Sequence, residues 1–317
     1  MYKITCSEEK FLISTAFQFD FEFIYQGFNQ LTQQQLEQDI FDQDVLIIND
    51  LQVTEVVYQH NPHLKLIALC STGYEHIDLS LAHQYGVKVC NVRDYATESV
   101  AEHTFMLMLA LGKNLANYQK STRDGRWQRS QSFCYLEPQF PIKQFHNKTL
   151  VILGRGAIGE AVATKAHAFN MQVIYAERPH ATICREGYLP FQQAIQQADI
   201  LSLHCPLTEE TRGCIHTDVF AQMKPNSLLI NVSRGGLIDH TDLYQALHNK
   251  TIAGYASDTG HQEPIRLNDQ LLDADLNTVF TPHIAWASEE AQWDLFHSLQ
   301  QNIESNLKGQ ERCLVGI

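Results

Sequence analysis

Short apolar runs alternate with amphipathic stretches along the whole chain. YKITC (2–6), DVLIIND (44–50), LKLIALCS (64–71) and VKVCNV (87–92) are continuous and rich in β-branched residues. Strands of that kind suit a parallel sheet, which helices cover on both faces. The stretches 31–40 and 78–85 carry helical spacing between them, so roughly the first 98 residues read as a small βαβ domain. Residues 97–121 then place Val100, His103, Leu107, Ala110 and Leu111 on one helical face, with Thr97 or Ser99 as cap. This helix is long and apolar enough to be expected between domains. The region 122–147 has no period and reads as a connection partly packed by Trp127, Phe133 and Tyr135. A second series follows: TLVILG (149–154), MQVIYAE (171–177), ADILSLH (198–204), SLLINVS (227–233), IAGYASD (252–258) and TVFTPH (278–283). Helical stretches such as 157–169 and 239–249 separate these strands, and 288–308 predicts a closing helix that stops at Gly309.

Composition narrows the class. The 317 residues suffice for about two domains. A hydrophobic share of 44% with 19% charged residues predicts a packed core and argues against disorder. The net charge of −13 argues against nucleic-acid binding, which needs cationic surface to displace counterions from phosphates. It leaves room for a small anionic substrate held by a few local arginines. Eight cysteines without a C-x-x-C pair predict buried free thiols in a reducing compartment and give no metal-ligand spacing. MYKITCSEEK lacks the pattern of a signal peptide, and FMLMLAL at 105–111 is far short of the ~20 residues that span a bilayer. A cytoplasmic protein without membrane contact is expected.

The clearest chemical signal is VILGRGAIGEAVATKAHAFNMQVIYAERP. Gly154, Gly156 and Gly159 follow a strand and open a helix, with Arg155, Ala157 and Ile158 between them. The first glycine permits a tight turn, the second lets backbone approach a pyrophosphate, and the third allows close helix–strand packing. The helix N-terminus adds unpaired N–H groups and partial positive charge. Glu177 ends the next strand, where a carboxylate accepts from adenosine ribose hydroxyls and repels a 2′-phosphate. The pattern predicts a dinucleotide and favours NAD over NADP. Arg178, its neighbour, could hold a 2′-phosphate if the glutamate swung away.

In an open parallel sheet the ligand lies beyond the carboxyl ends of the strands. LLINVSRGG delivers Ser233 and Arg234 there, GYASDTGHQEP delivers Asp258 and Glu263, and VFTPH delivers His283. Each alone has an unremarkable reading, as a loop cation, a surface acid, and one histidine among 15. Together they suit reduction of a 2-oxo acid. A histidine donates the proton near neutrality, a carboxylate on its other ring nitrogen fixes the tautomer, and an arginine grips the substrate carboxylate or polarises the carbonyl. Pro282 and the small residues after His283 would hold that ring in place.

These residues resemble the D-isomer-specific 2-hydroxyacid dehydrogenase family, in ordered segments over essentially the whole chain: STGYEHID (71–78), SVAEHTFMLMLAL, LGRGAIG, LHCPLTEETRG (203–213), NVSRGGLID (231–239) and TPHIAWAS (281–288). FCYLEPQFPI and TPHIAWAS look most like its glycerate dehydrogenase (hydroxypyruvate reductase) branch. The resemblance implies that Arg234, Glu263 and His283 are the catalytic trio. It implies that backbone groups at Ser71, Thr72 and Gly73 hold the substrate carboxylate and that Asp258 meets the nicotinamide carboxamide. Cys205, Pro206, Val232 and Ser233 would line the cofactor groove, and the protein would be a homodimer formed through the cofactor domain. Two departures stand out. Thr259, Gly260 and His261 replace a larger apolar residue after the aspartate, and Asn170 stands where relatives carry a turn glycine.

The expectation is therefore an α/β protein with two Rossmann-like, doubly wound parallel-sheet domains separated by an active-site cleft. Residues 1–98 with 292–317 would bind substrate, and 99–291 would bind NAD. The predicted activity is hydride transfer between NAD(H) and C2 of a small 2-oxo acid, with hydroxypyruvate or glyoxylate favoured and no metal. Two alternatives remain at this point: an NAD(H)-sensing, corepressor-like binding protein, and a phosphoglycerate dehydrogenase, which would need further cationic groups for its phosphate.

Overall fold

The computed structural model describes residues 1–273 and 275–316. They divide into two compact units, one of Met1–Ala96 with the segment from Trp286 onward, the other of Thr97–Ala285.

The first unit carries five parallel strands: β1 (Tyr2–Cys6), β2 (Phe23–Gly27), β3 (Val45–Ile48), β4 (Leu66–Leu69) and β5 (Lys88–Cys90), in the order β2-β1-β3-β4-β5. Successive strand residues face opposite sides, so each apolar run feeds two cores. Leu46, Ile48, Ile67 and Leu69 pack with Leu36, Val57 and Tyr58 on one side. Val45, Ile47, Leu66 and Ala68 pack on the other with Leu295, Leu299 and Ile303 of the helix Glu289–Leu307. Ser288 caps that helix by accepting from the Ala291 N–H at 3.2 Å, and Gly309 ends it with φ of +78°. Strand β2 was not legible as a strand. It lies at the sheet edge and alternates half-buried with exposed residues, so FIYQG lacks the continuous apolar signature of its neighbours.

The second unit carries six parallel strands: β6 (Thr149–Leu153), β7 (Gln172–Ala176), β8 (Ile200–Leu203), β9 (Leu228–Asn231), β10 (Gly254–Ser257) and β11 (Thr278–Phe280). Their order, β11-β10-β9-β8-β6-β7, puts the reversal of strand order between β6 and β8. Ligands bind at such a switch point in open α/β sheets. Asn170, at the turn before β7, takes φ of +54°, the left-handed conformation that asparagine tolerates in place of glycine.

The stretch 97–121 forms two helices rather than one, Thr97–Gly112 and Leu115–Arg123. Asn114 between them is left-handed at φ +51° and donates its side-chain N–H to the Pro141 carbonyl at 2.6 Å. The Phe145 ring lies so close to Gly112 that an added Cβ would fall 2.4 Å from Cζ. The connection 122–147 holds a short helix, Arg126–Ser130, and its expected aromatic packing forms only in part, with Tyr135 half-buried. Phe133 is 98% exposed and Trp127 40%. All eight cysteines are free thiols; five are buried, while Cys134 and Cys184 are exposed and Cys313 is intermediate. Among the described residues no helix is long and apolar enough to cross a membrane.

Candidate active site

Strand β6 ends in the glycine loop, and its three glycines have different reasons to be there. Gly154 has φ of +109°, and a Cβ on it would lie 2.5 Å from the Cys205 nitrogen. A Cβ on Gly159 would lie 2.2 Å from the Gly154 carbonyl oxygen. The fold itself demands both. A Cβ on Gly156 would meet nothing within 4 Å. Packing within the chain therefore gives no reason for the middle glycine, whereas a ligand backbone approaching the loop does. Gly156 also precedes the helix Ala157–Ala168 without a side-chain cap, so the N-terminal N–H groups remain available to an anion. These features fit a dinucleotide pyrophosphate. The Arg155 guanidinium pairs with Glu160 and stacks on the Tyr175 ring 4.4 Å from its centroid.

Glu177 follows β7 and is buried. Its oxygens accept from Arg185 Nε at 2.8 Å and Nη2 at 2.7 Å, and from the backbone N–H groups of Arg178 and Arg185. Hydrogen bonding from Arg185, opposed by desolvation, holds the carboxyl down to about 2.

After β8 and β9 the chain forms two short exits tied to each other. The Ser233 hydroxyl donates to the Cys205 carbonyl at 2.5 Å. Asn231, fully buried, accepts from the Ser233 N–H at 3.0 Å and donates to the Arg234 carbonyl at 2.9 Å. That turn sets the backbone from which Arg234 projects. Burial pushes the Cys205 thiol up to about 11, so it stays neutral. Val232 packs on the core below, and Pro206 is exposed.

The next two exits, after β10 and β11, carry Glu263 and His283. The loop with Glu263 reaches Arg234 because Gly235 and Gly260 touch; a Cβ on Gly235 would fall 2.0 Å from the Gly260 oxygen. Small residues at 235 and 260 thus let an arginine and an acid share one edge. Ser257, fully buried, has its Oγ 2.8 Å from the Asn231 carbonyl and 2.7 Å from the Thr259 carbonyl, and its one hydroxyl proton, shared between them, ties the two strand ends together.

His283 takes φ of +57°, a left-handed conformation uncommon for residues other than glycine, asparagine, aspartate and histidine. Its Nδ1 lies 2.7 Å from Glu263 Oε2, while Glu263 Oε1 accepts from the Gly260 N–H at 2.8 Å. An ionised carboxylate only accepts, so Nδ1 carries the proton. The Glu263 hydrogen bond raises the His283 pKa above the ordinary histidine value, against burial and the Arg234 charge. Burial pushes Glu263 up, but the His283 bond and charge, the Gly260 N–H and Arg234 outweigh it and hold the carboxyl low. The pair is ionic between those two limits. Its contribution is lost when pH rises through the raised His283 value or falls through the lowered Glu263 value.

Asp258 supports the strained histidine. Its side chain is buried, and its Oδ1 accepts from the Thr281 hydroxyl at 2.5 Å and the Ile284 N–H at 3.0 Å. Oδ2 accepts from the Ala285 N–H at 2.7 Å. Three donors from residues flanking His283 therefore converge on one carboxylate. His103 adds a fourth member, with Nε2 2.8 Å from Thr281 Oγ1. The single Thr281 hydroxyl proton goes to Asp258, so His103 must donate through Nε2. Burial lowers the His103 pKa, in keeping with a neutral ring.

In the other unit, Ser71, Thr72 and Gly73 follow β4. Ser71 Oγ donates to the Gly73 carbonyl at 2.7 Å and Thr72 Oγ1 to the Val92 carbonyl at 2.9 Å. Both hydroxyl protons are thus used inside the unit.

The sequence reading missed Asn231, Ser257 and Thr281, which fix the loops bearing the charged trio. Ser, Asn and Thr at strand ends have no periodic signal; Thr281 and Ser257 act on partners 23 and 26 residues away, and Asn231 through the shape of the turn that carries Arg234. His103 was legible only as a position on a helical face.

A doubly wound parallel sheet with a glycine loop at its switch point and an acid-paired histidine at the same edge defines a nicotinamide-dependent oxidoreductase. Comparison with known proteins makes the class specific. Residues 105–285 match the family model described as D-isomer specific 2-hydroxyacid dehydrogenase, NAD binding domain. The chain is 34% identical to a glycerate dehydrogenase of Methylorubrum extorquens over 99% of its own length and 98% of that protein. It is 30% identical to a hydroxypyruvate reductase of Blautia hydrogenotrophica, covering 85% of this chain and 84% of that one. Among solved structures, an NADPH-dependent glyoxylate/hydroxypyruvate reductase from Sinorhizobium meliloti superposes with a TM-score of 0.85 at 25% identity, covering 100% of this chain and 98% of that one. The chain belongs to the D-isomer-specific 2-hydroxyacid dehydrogenases. Within that family it falls with the glycerate dehydrogenase and hydroxypyruvate reductase branch.

Proposed function

We propose that this dehydrogenase interconverts hydroxypyruvate and glycerate, or reduces glyoxylate, with NAD(H) as its dinucleotide. The observation that carries the reading is the His283–Glu263 pair at 2.7 Å, under the charge of Arg234, at the sheet edge that also bears the glycine loop. The nicotinamide, when bound, supplies or accepts the hydride. His283 gives a proton to the substrate oxygen during reduction through Nε2, because Glu263 occupies Nδ1. Arg234 binds the substrate carboxylate or polarises the carbonyl, for which its planar fork is suited. Backbone groups of Ser71, Thr72 and Gly73 complete the hold on the carboxylate. The 154–159 loop cradles the pyrophosphate, and Cys205, Pro206, Val232 and Ser233 line the remainder of the groove. The three hydrogen bonds that Asp258 accepts from residues flanking His283 support a bracing role for it, with contact to the nicotinamide carboxamide secondary.

The test is a steady-state panel in which NADH oxidation is followed with hydroxypyruvate, glyoxylate, pyruvate and 2-oxoglutarate. Hydroxypyruvate or glyoxylate should exceed the other two in kcat/KM by about tenfold or more, a ratio within reach of pocket contacts. Turnover confined to 2-oxoglutarate or pyruvate would move the substrate assignment. Tight NADH binding with no turnover on any acid would mark a binding protein instead.

A further inference from the structure

The carboxylate of Glu177 is the group expected to meet the adenosine ribose, yet its capacity to do so is already filled. Oε1 accepts from the Arg178 N–H at 2.9 Å and from Arg185 Nη2 at 2.7 Å. Oε2 accepts from the Arg185 N–H at 3.1 Å and from Arg185 Nε at 2.8 Å. Four donors match the roughly four acceptor sites of an ionised carboxylate. The Glu177 side chain is 3% exposed, whereas that of Arg185 is 50% exposed. Ribose hydroxyls bind such an acid by donating to it, and here no acceptor site is left for them.

The electrostatics change in the same direction. A free carboxylate at this strand end discriminates against NADPH by repelling the 2′-phosphate. A bidentate guanidinium cancels that charge and presents its own exposed edge in its place. Arg185 is held there by its stacking on Tyr188, 4.1 Å from the ring centroid, and Arg155 lies 5.8 Å from the same ring. Arg178 is exposed at the position after Glu177. The region combines an acid neutralised by Arg185 with the exposed Arg178, while Arg155 beside them is paired with Glu160, a charge balance that no longer repels a 2′-phosphate.

We infer that Arg185 sets the dinucleotide preference: by closing Glu177 it removes the barrier to a 2′-phosphate, so the protein binds NADPH as well as NADH. The inference rests on the dinucleotide reading of the glycine loop but not on the identity of the acid substrate. An Arg185 side chain paired to Glu177 competes with the ribose of NADH and attracts the extra phosphate of NADPH. Removing it should therefore weaken NADPH without weakening NADH, a change in their ratio that general damage to the site cannot produce.

The experiment is equilibrium titration of the full-length protein with NADH and with NADPH, read by nicotinamide fluorescence without any acid substrate. Wild-type dissociation constants should agree within about tenfold, the effect of one charge-assisted contact. Arg185→Ala should weaken NADPH by about tenfold or more while leaving NADH unchanged or tighter. Adding Glu177→Gln to that variant should bring the two constants back together, because the exposed negative charge is gone. A wild-type preference for NADH beyond about a hundredfold, or an unchanged ratio in Arg185→Ala, would overturn the role of Arg185. Binding of neither dinucleotide to wild-type protein would overturn the site reading itself, and the inference with it.

Discussion

Replacing His283 by asparagine should lower kcat for 2-oxo acid reduction by about a hundred- to ten-thousandfold, the usual contribution of a positioned acid/base group. Dinucleotide affinity should be unchanged, since the glycine loop lies on a different strand exit. Asparagine is the better probe because position 283 is left-handed, at φ +57°, and asparagine accepts that conformation where alanine resists it. The loop should keep its backbone bonds from Ile284 and Ala285 to Asp258. His283→Ala should show the same loss in kcat plus a modest loss of thermal stability. Turnover within about tenfold of wild type in the asparagine variant would remove His283 from the proton-transfer step.

The second large effect is expected at Asp258. Asp258→Asn keeps shape but replaces one acceptor oxygen with a donor, facing N–H and O–H groups that need acceptors. A buried unsatisfied donor costs roughly 1–3 kcal/mol, so the variant should melt several degrees lower. The loop 281–285 should lose its fixed geometry, and displacement of a reacting group by about 1 Å can cost about a hundredfold in rate. The expected signature is a fall in kcat with an unchanged KM for NADH. If the residue acts chiefly through the nicotinamide carboxamide, KM for NADH should rise instead. Steady-state kinetics with a melting curve separates these roles.

Much of this arrangement was written in the sequence as apolar runs and punctuating glycines. The four inner strands of the second sheet, β6, β8, β9 and β10, show as near-continuous runs because both their faces are buried. The edge strands β7 and β11, only half-buried, were still legible from their short apolar runs. β2 did not show, because an edge strand with one wet face alternates. The charged trio was legible through its delivery by successive strand ends. What holds the trio was not, since Ser257 and Thr281 matter through long-range partners and Asn231 through the shape of a turn. Nor could the sequence show that Glu177 is spent on Arg185, eight residues onward. The two are brought together by a turn whose geometry no spacing rule encodes.

The assignment of His283 as the acid/base group is tested most directly by the pH dependence of kcat/KM in both directions. Glu263 raises the His283 pKa, so the ring keeps its proton above the ordinary histidine value of about 6.5. Reduction needs that proton, and its rate should fall only as pH rises through the raised value. Oxidation needs the ring neutral and should rise over the same window. In Glu263→Gln both limbs should move to lower pH. Limbs that move this way are the result the account predicts; profiles that are flat through this range, or limbs unmoved by Glu263→Gln, would contradict it.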